Sequence, residues 1–375
     1  MDASNNAFGQ QPQIESHQAP PPRYSVIVPA YNSAATLADC LSALALQTVP
    51  PQTYEVIVVD DGSTDGTADL AKRFAAIVLS QTHAGPASAR NLGARRARGE
   101  FLLFTDADCV PAPNWVEEIV RPLESDPSVA ASKGVYTTRQ TGLVPLFVQI
   151  ESEEKYAKLR RHRQIDFVDT YSAAFRREAF WAGGGFDTSF PAASNEDTLL
   201  SFNLASQGRR LVFTDQAIVY HLHSESLGHY LRRKWRHGYW RIPVYRSHPG
   251  KMAGDSYTPR STQVQMATAL LALWLAPRPR QRWLLLATVG AFVAATTPIV
   301  RRAMPVSWAV AAAAPFLLFL RALALACGLA LGFARLLGEW SLSAPARVRL
   351  RARQLSWTLP RRQRPPTTGR PPRRR

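Results

Sequence analysis

Cysteine is scarce in this chain, which has 375 residues but only three cysteines. Cys40, Cys109 and Cys327 lie far apart, and none falls in a C-x-x-C pair or in a spacing typical of a zinc site. Three cysteines are too few for a disulfide framework, and their spacing does not fit a zinc module. So little cysteine is typical of a reducing compartment.

The N-terminal residues lack an apolar run. Residues 1–22 are polar and rich in proline and glutamine. A secretory signal peptide needs an apolar segment of about 7–15 residues, so none is predicted here. The composition instead predicts a disordered leader over residues 1–22, because such a segment has too little apolar surface to bury.

Acidic residues are missing from the C-terminal end. Between Arg347 and Arg375 there are eleven arginines and no aspartate or glutamate, and these arginines carry most of the net charge of +17. We call residues 341–375 the basic tail. A tail of this composition binds an anionic membrane surface or nucleic acid, and the membrane is the partner we expect.

Apolar runs alternate with helical patterns over residues 24–105. Tyr24–Val28, Tyr54–Val59 and Phe101–Thr105 are nearly continuous apolar runs, as expected for parallel strands covered on both faces. Helices are predicted between them at 34–46 and 86–97. Further strands are predicted at 166–175, 211–213 and 217–220. The alternation predicts an α/β fold with a layered, mostly parallel sheet.

The chain becomes strongly apolar after about residue 262. Four long uncharged segments follow one another, at 264–276, 283–300, 305–320 and 322–334. A membrane-spanning helix needs about 20 apolar residues, so we predict two to four membrane-associated helices over 263–340, after a linker at 246–262. An Ala/Leu-rich soluble helical domain is the alternative. The basic tail should stay cytoplasmic with the signal-less N-terminal region, which calls for an even number of spans.

Two carboxylates follow the strand at 101–105. Asp106 and Asp108 have the i, i+2 spacing that points two side chains the same way on an extended backbone. Carboxylate oxygens suit Mg2+ or Mn2+ and leave room for phosphate oxygens. This pair is therefore a candidate metal site, although acidic pairs are also common in turns.

Polar residues end the first two strands at the same predicted edge of the sheet. Asp60 and Asp61 can accept hydrogen bonds from a nucleobase, or they form an ordinary turn and helix cap. Tyr31 can stack on a base. Arg90, one turn into the helix at 86–97, can reach a diphosphate, or it is a surface arginine. The candidate nucleotide-binding residues are Pro29, Ala30, Tyr31, Asn32, Asp60, Asp61 and Arg90.

A second acidic pair follows a glycine-rich loop. Glu196 and Asp197 begin a predicted helix, where a carboxylate either deprotonates a hydroxyl nucleophile or simply caps the helix. Further along, candidate acceptor-, diphosphate- or metal-binding residues are His221, His223, Arg233, Lys234 and Trp235. The alternative for the last three is a basic amphipathic helix lying on a membrane.

Taken in order, these motifs resemble those of the inverting family-2 glycosyltransferases of GT-A fold. The stretches that carry the resemblance are 26–32, 58–67, 89–93, 106–108 and 195–197. The resemblance implies a Rossmann-like GT-A domain over 23–245. It also implies that Asp60 or Asp61 binds the nucleobase, that Asp106 and Asp108 hold a nucleotide sugar through Mg2+ or Mn2+, and that Asp197 is the catalytic base.

Together with the apolar C-terminal segments, the resemblance predicts a membrane-anchored enzyme. Its donor is expected to be a UDP- or GDP-sugar and its acceptor a hydroxyl of a lipid-linked or cell-envelope glycan, at the cytoplasmic face of the inner membrane. Processive members carry a Q-x-x-R-W signature, and here Leu231 and Lys234 take its Gln and Arg positions before Trp235. Single-sugar transfer is therefore favoured. A polyprenyl-phosphate sugar synthase and a basic-tail nucleic-acid-binding membrane protein are the alternatives.

Overall fold

The computed structural model of the protein describes residues 20–190 and 194–341. The predicted leader as far as residue 19 and the basic tail from residue 342 lie outside these residues. Eight strands of the described part form one mixed sheet. They are β1 (Tyr24–Ala30), β2 (Tyr54–Asp60), β3 (Ile77–Ser80), β4 (Phe101–Phe104), β5 (Cys109–Pro111), β6 (Val129–Thr137), β7 (Ala173–Arg176) and β8 (Arg210–His221).

The α-helices divide into a group around the sheet and a C-terminal group. Those around the sheet are α1 (Leu37–Ala45), α2 (Thr67–Ala71), α3 (Pro86–Arg96), α4 (Trp115–Ser125), α5 (Leu143–Leu159), α6 (Arg177–Ala182) and α7 (Glu196–Ser206). Those that follow are α8 (Leu227–Ser247), α9 (Arg260–Leu275), α10 (Arg282–Ala303) and α11 (Trp308–Ser341).

The sheet has the strand order β3-β2-β1-β4-β7-β6-β8-β5. Strands β3, β2, β1 and β4 run parallel to one another, whereas β7 runs antiparallel to both β4 and β6. The predicted α/β class is confirmed. Because parallel strands end at one edge, the loops after β1, β2, β3 and β4 open together, and ligands of such sheets bind there.

Side chains of alternate strand residues pack on opposite faces of the sheet. Val26 and Val28 on β1 belong to one apolar cluster with helices α1 and α4. Ile27, between them, belongs to a second cluster with α3 and α6. Both faces of β1 are therefore covered by helices, which is why the strand reads as a continuous apolar run.

Two strand predictions need correction. The strand predicted at 166–175 begins later in the structure, because β7 covers only residues 173–176. Before it, Asp166 and Asp169 form ion pairs with Lys251 and Lys133. The two short strands predicted at 211–213 and 217–220 are one strand, β8. It stays continuous because irregularities in its register with β6 absorb the intervening residues.

The C-terminal helices also differ in detail from the four predicted segments. The segments at 305–320 and 322–334 belong to one helix, α11, which continues through Arg321. Arg321 is buried, and its charge is neutralised by Glu151 on α5. Two helices in the described part, Pro279–Ala303 and Trp308–Gly338, are long and apolar enough to cross a membrane by length and composition, which alone is weak evidence.

Candidate active site

Asp61, in the loop after β2, is buried beneath the loop that follows β3. Its carboxylate accepts hydrogen bonds from the backbone N–H groups of Ala84 and Gly85, both at 2.9 Å, and from Gln81 Nε2 at 2.7 Å. Asp60 accepts a single one from the described residues, from the backbone N–H of Ser63 at 3.2 Å. Asp61 therefore shapes the loop after β3, and Asp60 keeps more capacity for a ligand.

An aromatic platform stands beside these carboxylates. The ring of Tyr31, which is 48% exposed, stacks on His83 with ring centroids 4.1 Å apart. His83 Nδ1 lies 2.9 Å from Asp61 Oδ2. Such a half-exposed stacked pair presents a π face on which a planar base can lie. His83 was missed from the sequence, although its position just after β3 could have indicated it.

The remaining predicted nucleotide residues support this edge from within β1 and its loop. Pro29 and Ala30 lie in β1, opposite Val59 and Asp60. Asn32 has a φ of 48°, a left-handed conformation that asparagine tolerates. Its side-chain oxygen accepts the backbone N–H of Thr64 at 2.9 Å. Asn32 thus ties the loops after β1 and β2 together.

The second predicted cluster forms where the loop after β4 leads into β5, which pairs with β8. Asp108 Oδ2 lies 3.5 Å from His221 Nε2, because β5 pairs with the end of β8. Ligand atoms of Asp108, Cys109 and His221 all lie within 4.8 Å of one another. Burial raises the pKa of the Cys109 thiol well above its usual range, so it stays protonated. Burial also lowers the pKa of His221, which keeps the imidazole neutral and able to bind a metal.

Arg90 joins the two acidic motifs. Its guanidinium donates to Asp106 Oδ1 at 2.8 Å and to Glu196 Oε1 at 3.1 Å. The Arg90 side chain is only 3% exposed, and in the described part of the chain its Nε has no hydrogen-bond partner. Arg90 therefore lies beneath the site, where it holds the loop after β4 against the start of α7.

Asp197 is an acidic residue whose ionisation is strongly shifted by its surroundings. It is half-buried, and its Oδ1 accepts the backbone N–H of Thr198 at 2.6 Å. Burial, then the nearby carboxylates Glu196 and Asp169, raise its pKa to about 8. A carboxylate with a pKa near the working pH is well suited to accept a proton in a reaction.

A buried ion pair lies behind Asp197. Lys133 on β6 has no exposed surface and binds Asp169, and it also donates to the Tyr171 hydroxyl at 2.8 Å. The Tyr171 hydroxyl in turn lies 3.1 Å from that of Tyr156. No sequence signal distinguished this network from ordinary strand and loop residues, because its members come from three distant segments.

The residues predicted near the diphosphate divide into two groups. His223 faces inward, with Nε2 3.3 Å from Gln149 Oε1, and burial lowers its pKa to about 3. Lys234 also faces inward and donates to Glu151 at 2.6 Å. Arg233, by contrast, is exposed, and its positive charge acts on Asp108 and His221. Trp235 stacks on Tyr239 along α8, with ring centroids 5.5 Å apart.

Known proteins resemble this chain in sequence and in fold. Residues 25–184 match the family model described as glycosyl transferase family 2. Glycosyltransferase AglE of Haloferax volcanii is 41% identical over 102 residues, which are 26% of this chain and 34% of that protein. Validoxylamine A glucosyltransferase of Streptomyces hygroscopicus is 29% identical over 220 residues, which are 50% of this chain and 49% of that protein. The chain thus spans about half or less of these relatives.

Among solved structures, a mannosyltransferase from Pyrobaculum calidifontis, in complex with GDP-Man and Mn2+, superposes with a TM-score of 0.53 at 23% identity. The superposition covers 82% of this chain and 87% of that one. It shows a shared fold. Residues 25–184 of this protein therefore form a glycosyl transferase family 2 domain on a GT-A fold.

Proposed function

We propose that this protein is a membrane-associated inverting glycosyltransferase. It transfers a sugar from a UDP- or GDP-sugar to a hydroxyl of a lipid-linked or cell-envelope glycan acceptor. The observation that carries the proposal is the bridge made by Arg90 between Asp106 and Glu196. Through this bridge the candidate metal residues after β4 and the candidate base at the start of α7 belong to one site.

The donor binds along the carboxyl ends of β1, β2 and β4. Its base lies against Tyr31 and His83, within reach of Asp60. Support for a nucleotide sugar also comes from the Pyrobaculum structure of the same fold, which holds GDP-Man and Mn2+. Nothing in this edge of the sheet separates uridine from guanosine, so both donors belong to the proposal.

Asp106, Asp108 and His221 are the residues that would hold a divalent cation. Their donor set fits, because carboxylate oxygens suit Mg2+ and Mn2+ and a neutral imidazole is also accepted by Mn2+. A bound cation would stabilise the negative charge that develops on the departing diphosphate. Arg233 adds a positive charge from α8 on the same side of the site.

Asp197 takes the proton of the acceptor hydroxyl. Its raised pKa makes it a stronger base than an exposed aspartate, and Thr198 holds the carboxylate in place. The activated oxygen then attacks the anomeric carbon on the face opposite to the diphosphate, and the C–O bond to the diphosphate breaks. A single displacement of this kind inverts the configuration at the anomeric carbon.

Membrane association rests on the apolar surface of the C-terminal helices. Trp283, Leu286 and Trp308 are each more than 70% exposed. In the most apolar stretches of α10 and α11, only 22% and 33% of the residues are buried, whereas the core helix of a soluble protein is mostly buried. Large exposed apolar surfaces of this kind mark membrane or protein interfaces. We place the glycosyltransferase domain and the basic tail on the cytoplasmic side.

Calorimetry on the detergent-purified full chain tests the proposal. UDP and GDP are titrated in Mn2+ and in EDTA, with Asp108→Asn beside the wild type. We expect one nucleotide to bind the wild type in Mn2+ but not in EDTA. This metal-dependent binding should be lost in Asp108→Asn. The matched control is Asp69→Asn, which removes an exposed carboxylate on α2. If the folded protein binds neither nucleotide with any metal, the donor assignment is wrong.

A further inference from the structure

A large cavity lies at the seam between the glycosyltransferase domain and the C-terminal helices. Its volume is about 1050 Å³, close to the upper end of the sizes typical of ligand sites. Its walls come from the end of α5, the linker that follows α8, the start of α9 and the end of α10. It shares no lining residue with the candidate active site. It therefore serves something other than the reacting groups.

The carboxylates of this seam cavity are already engaged. Asp166 binds Lys251, and Asp255 binds Arg241 at 2.6 Å. Glu154 accepts a hydrogen bond from the Ser261 hydroxyl at 2.9 Å. Asp166 and Asp255 are thus neutralised by cations, and among the described residues Glu154 is the one lining carboxylate whose hydrogen bond comes from a neutral donor.

Three arginines of the same cavity have no such partner. Arg161, Arg260 and Arg302 all line it and are exposed. Within residues 20–190 and 194–341, none of the three forms an ion pair. Three open guanidinium groups outweigh the single charge of Glu154, so the cavity attracts an anion. Planar guanidinium groups also match phosphate oxygens well.

The position of the cavity favours a lipid over a free anion. The Gln265 side chain donates to the carbonyl of Ala295 at 2.7 Å, which sets the start of α9 beside the end of α10. Arg302 and Pro298 belong to the last turns of α10, one of the two candidate membrane helices. Arginines at the end of a membrane helix lie at the depth of the lipid headgroups. The cavity then opens at that depth.

We propose that the seam cavity binds the phosphate of an anionic lipid headgroup through Arg161, Arg260 and Arg302. A bound lipid contacts the end of α5, the start of α9 and the end of α10. It therefore fixes the glycosyltransferase domain against the membrane. This inference rests on the proposed membrane association. It does not depend on the donor, the acceptor or the catalytic residues.

The test compares two double variants of the full chain in phosphatidylcholine nanodiscs. Arg161→Gln/Arg302→Gln removes two cavity arginines. Arg163→Gln/Arg301→Gln is the matched control, because Arg163 and Arg301 are exposed neighbours that do not line the cavity. The probe is short-chain phosphatidylglycerol, with inorganic phosphate as the competitor. Both variants keep the basic tail, so its contribution cancels.

We expect phosphatidylglycerol to bind roughly 30-fold more weakly to the cavity variant and nearly unchanged to the control, as the loss of two arginine–phosphate contacts predicts. Arg161→Lys/Arg302→Lys should keep most of the binding. Equal loss in the cavity and control variants would overturn the proposal in favour of general surface charge. Full displacement by inorganic phosphate would overturn the lipid assignment.

Nucleotide binding in the same samples separates this inference from the proposed function. The cavity variant should bind UDP or GDP as the wild type does, which also shows that it is folded. Loss of lipid binding with intact nucleotide binding supports the cavity. If no sample binds nucleotide but the lipid difference persists, the donor assignment fails and the lipid site stands.

Discussion

Arg321 Nη1 lies 3.1 Å from Glu151 Oε1, and this ion pair joins α11 to the glycosyltransferase domain. The same carboxylate accepts from Lys234 on α8 at 2.6 Å and from the Tyr230 hydroxyl at 2.8 Å. The pair is buried, since the two side chains are 2% and 4% exposed. Glu151 therefore holds helices from both parts of the chain together.

Glu151→Gln should strongly destabilise the protein. The change leaves Arg321 and Lys234 close together without a neutralising charge, and breaking a buried pair in this way costs about 3–5 kcal/mol. Thermal unfolding of the detergent-purified protein measures the effect. Glu225→Gln, at an exposed position, is the control. A melting temperature equal to that of the control would show that the pair contributes little.

Asp197→Asn should abolish transfer to a hydroxyl acceptor. An amide cannot accept the proton, and loss of a general base lowers rates by about 10²–10⁴-fold. Nucleotide affinity should stay within a few-fold of the wild type. Product formation measures the transfer, and calorimetry measures the affinity. Full retention of transfer would instead favour an acceptor that is already ionised, as in a polyprenyl-phosphate sugar synthase.

Asp197→Asn should also stabilise the ligand-free protein above neutral pH. The pKa of Asp197 is about 8 in the folded chain and about 4 when unfolded, so the folded state binds the extra proton between these values. The free energy of unfolding of the wild type therefore falls as pH rises from about 4 to about 8. The variant lacks this pH dependence, because asparagine does not ionise. Denaturant unfolding at about pH 5 and pH 9 measures the free energy of unfolding of both proteins. The difference between the variant and the wild type should grow with pH by on the order of 1 kcal/mol or more. A constant difference contradicts the raised pKa.

His221→Asn should weaken the effect of Mn2+ on nucleotide binding, and His223→Asn should not to the same degree. Only His221 directs Nε2 towards Asp108, whereas the Nε2 of His223 faces Gln149. Loss of a residue at a metal site typically costs at least 10–100-fold in metal affinity. Manganese titrations followed by electron paramagnetic resonance measure this directly. Equal losses in both variants would remove His221 from the ligand set.

Tyr31→Ala should weaken nucleotide binding, and Tyr31→Phe should leave it nearly unchanged. The proposed role of Tyr31 is to present a ring face beside His83, and stacking of a base on an aromatic side chain is worth about 1–3 kcal/mol. Calorimetry with the preferred nucleotide measures both variants. If Tyr31→Phe binds as weakly as Tyr31→Ala, the hydroxyl rather than the ring is responsible.

The α/β fold was predictable because local patterns specify it. The apolar runs that became β1, β2 and β4 are buried on both faces, so their sequence carries the signal without alternation. Asp106 and Asp108 were also predictable as a pair, because they follow such a run directly. The roles proposed for them, for Arg90 and for Asp197 remain predictions.

What the sequence could not supply was the partner of each charged side chain. Arg90 is consistent with a surface arginine or a diphosphate ligand until α3, the loop after β4 and α7 are packed together. Arg321 ends an apolar run in the sequence, yet α11 continues through it because Glu151 lies opposite. Glu151 itself carried no signal within α5.

The sequence by itself thus determined the parallel strands β1, β2 and β4, the edge at which their loops open and the apolar character of the C-terminal helices, because these depend on the order and spacing of neighbouring residues. Only the tertiary structure decided which acids are free and which are neutralised. Asp61 and Asp60 are adjacent in sequence, but the first is held by the loop after β3 and the second is not. Ionisation and pairing depend on contacts between distant segments, and a single sequence does not record those contacts.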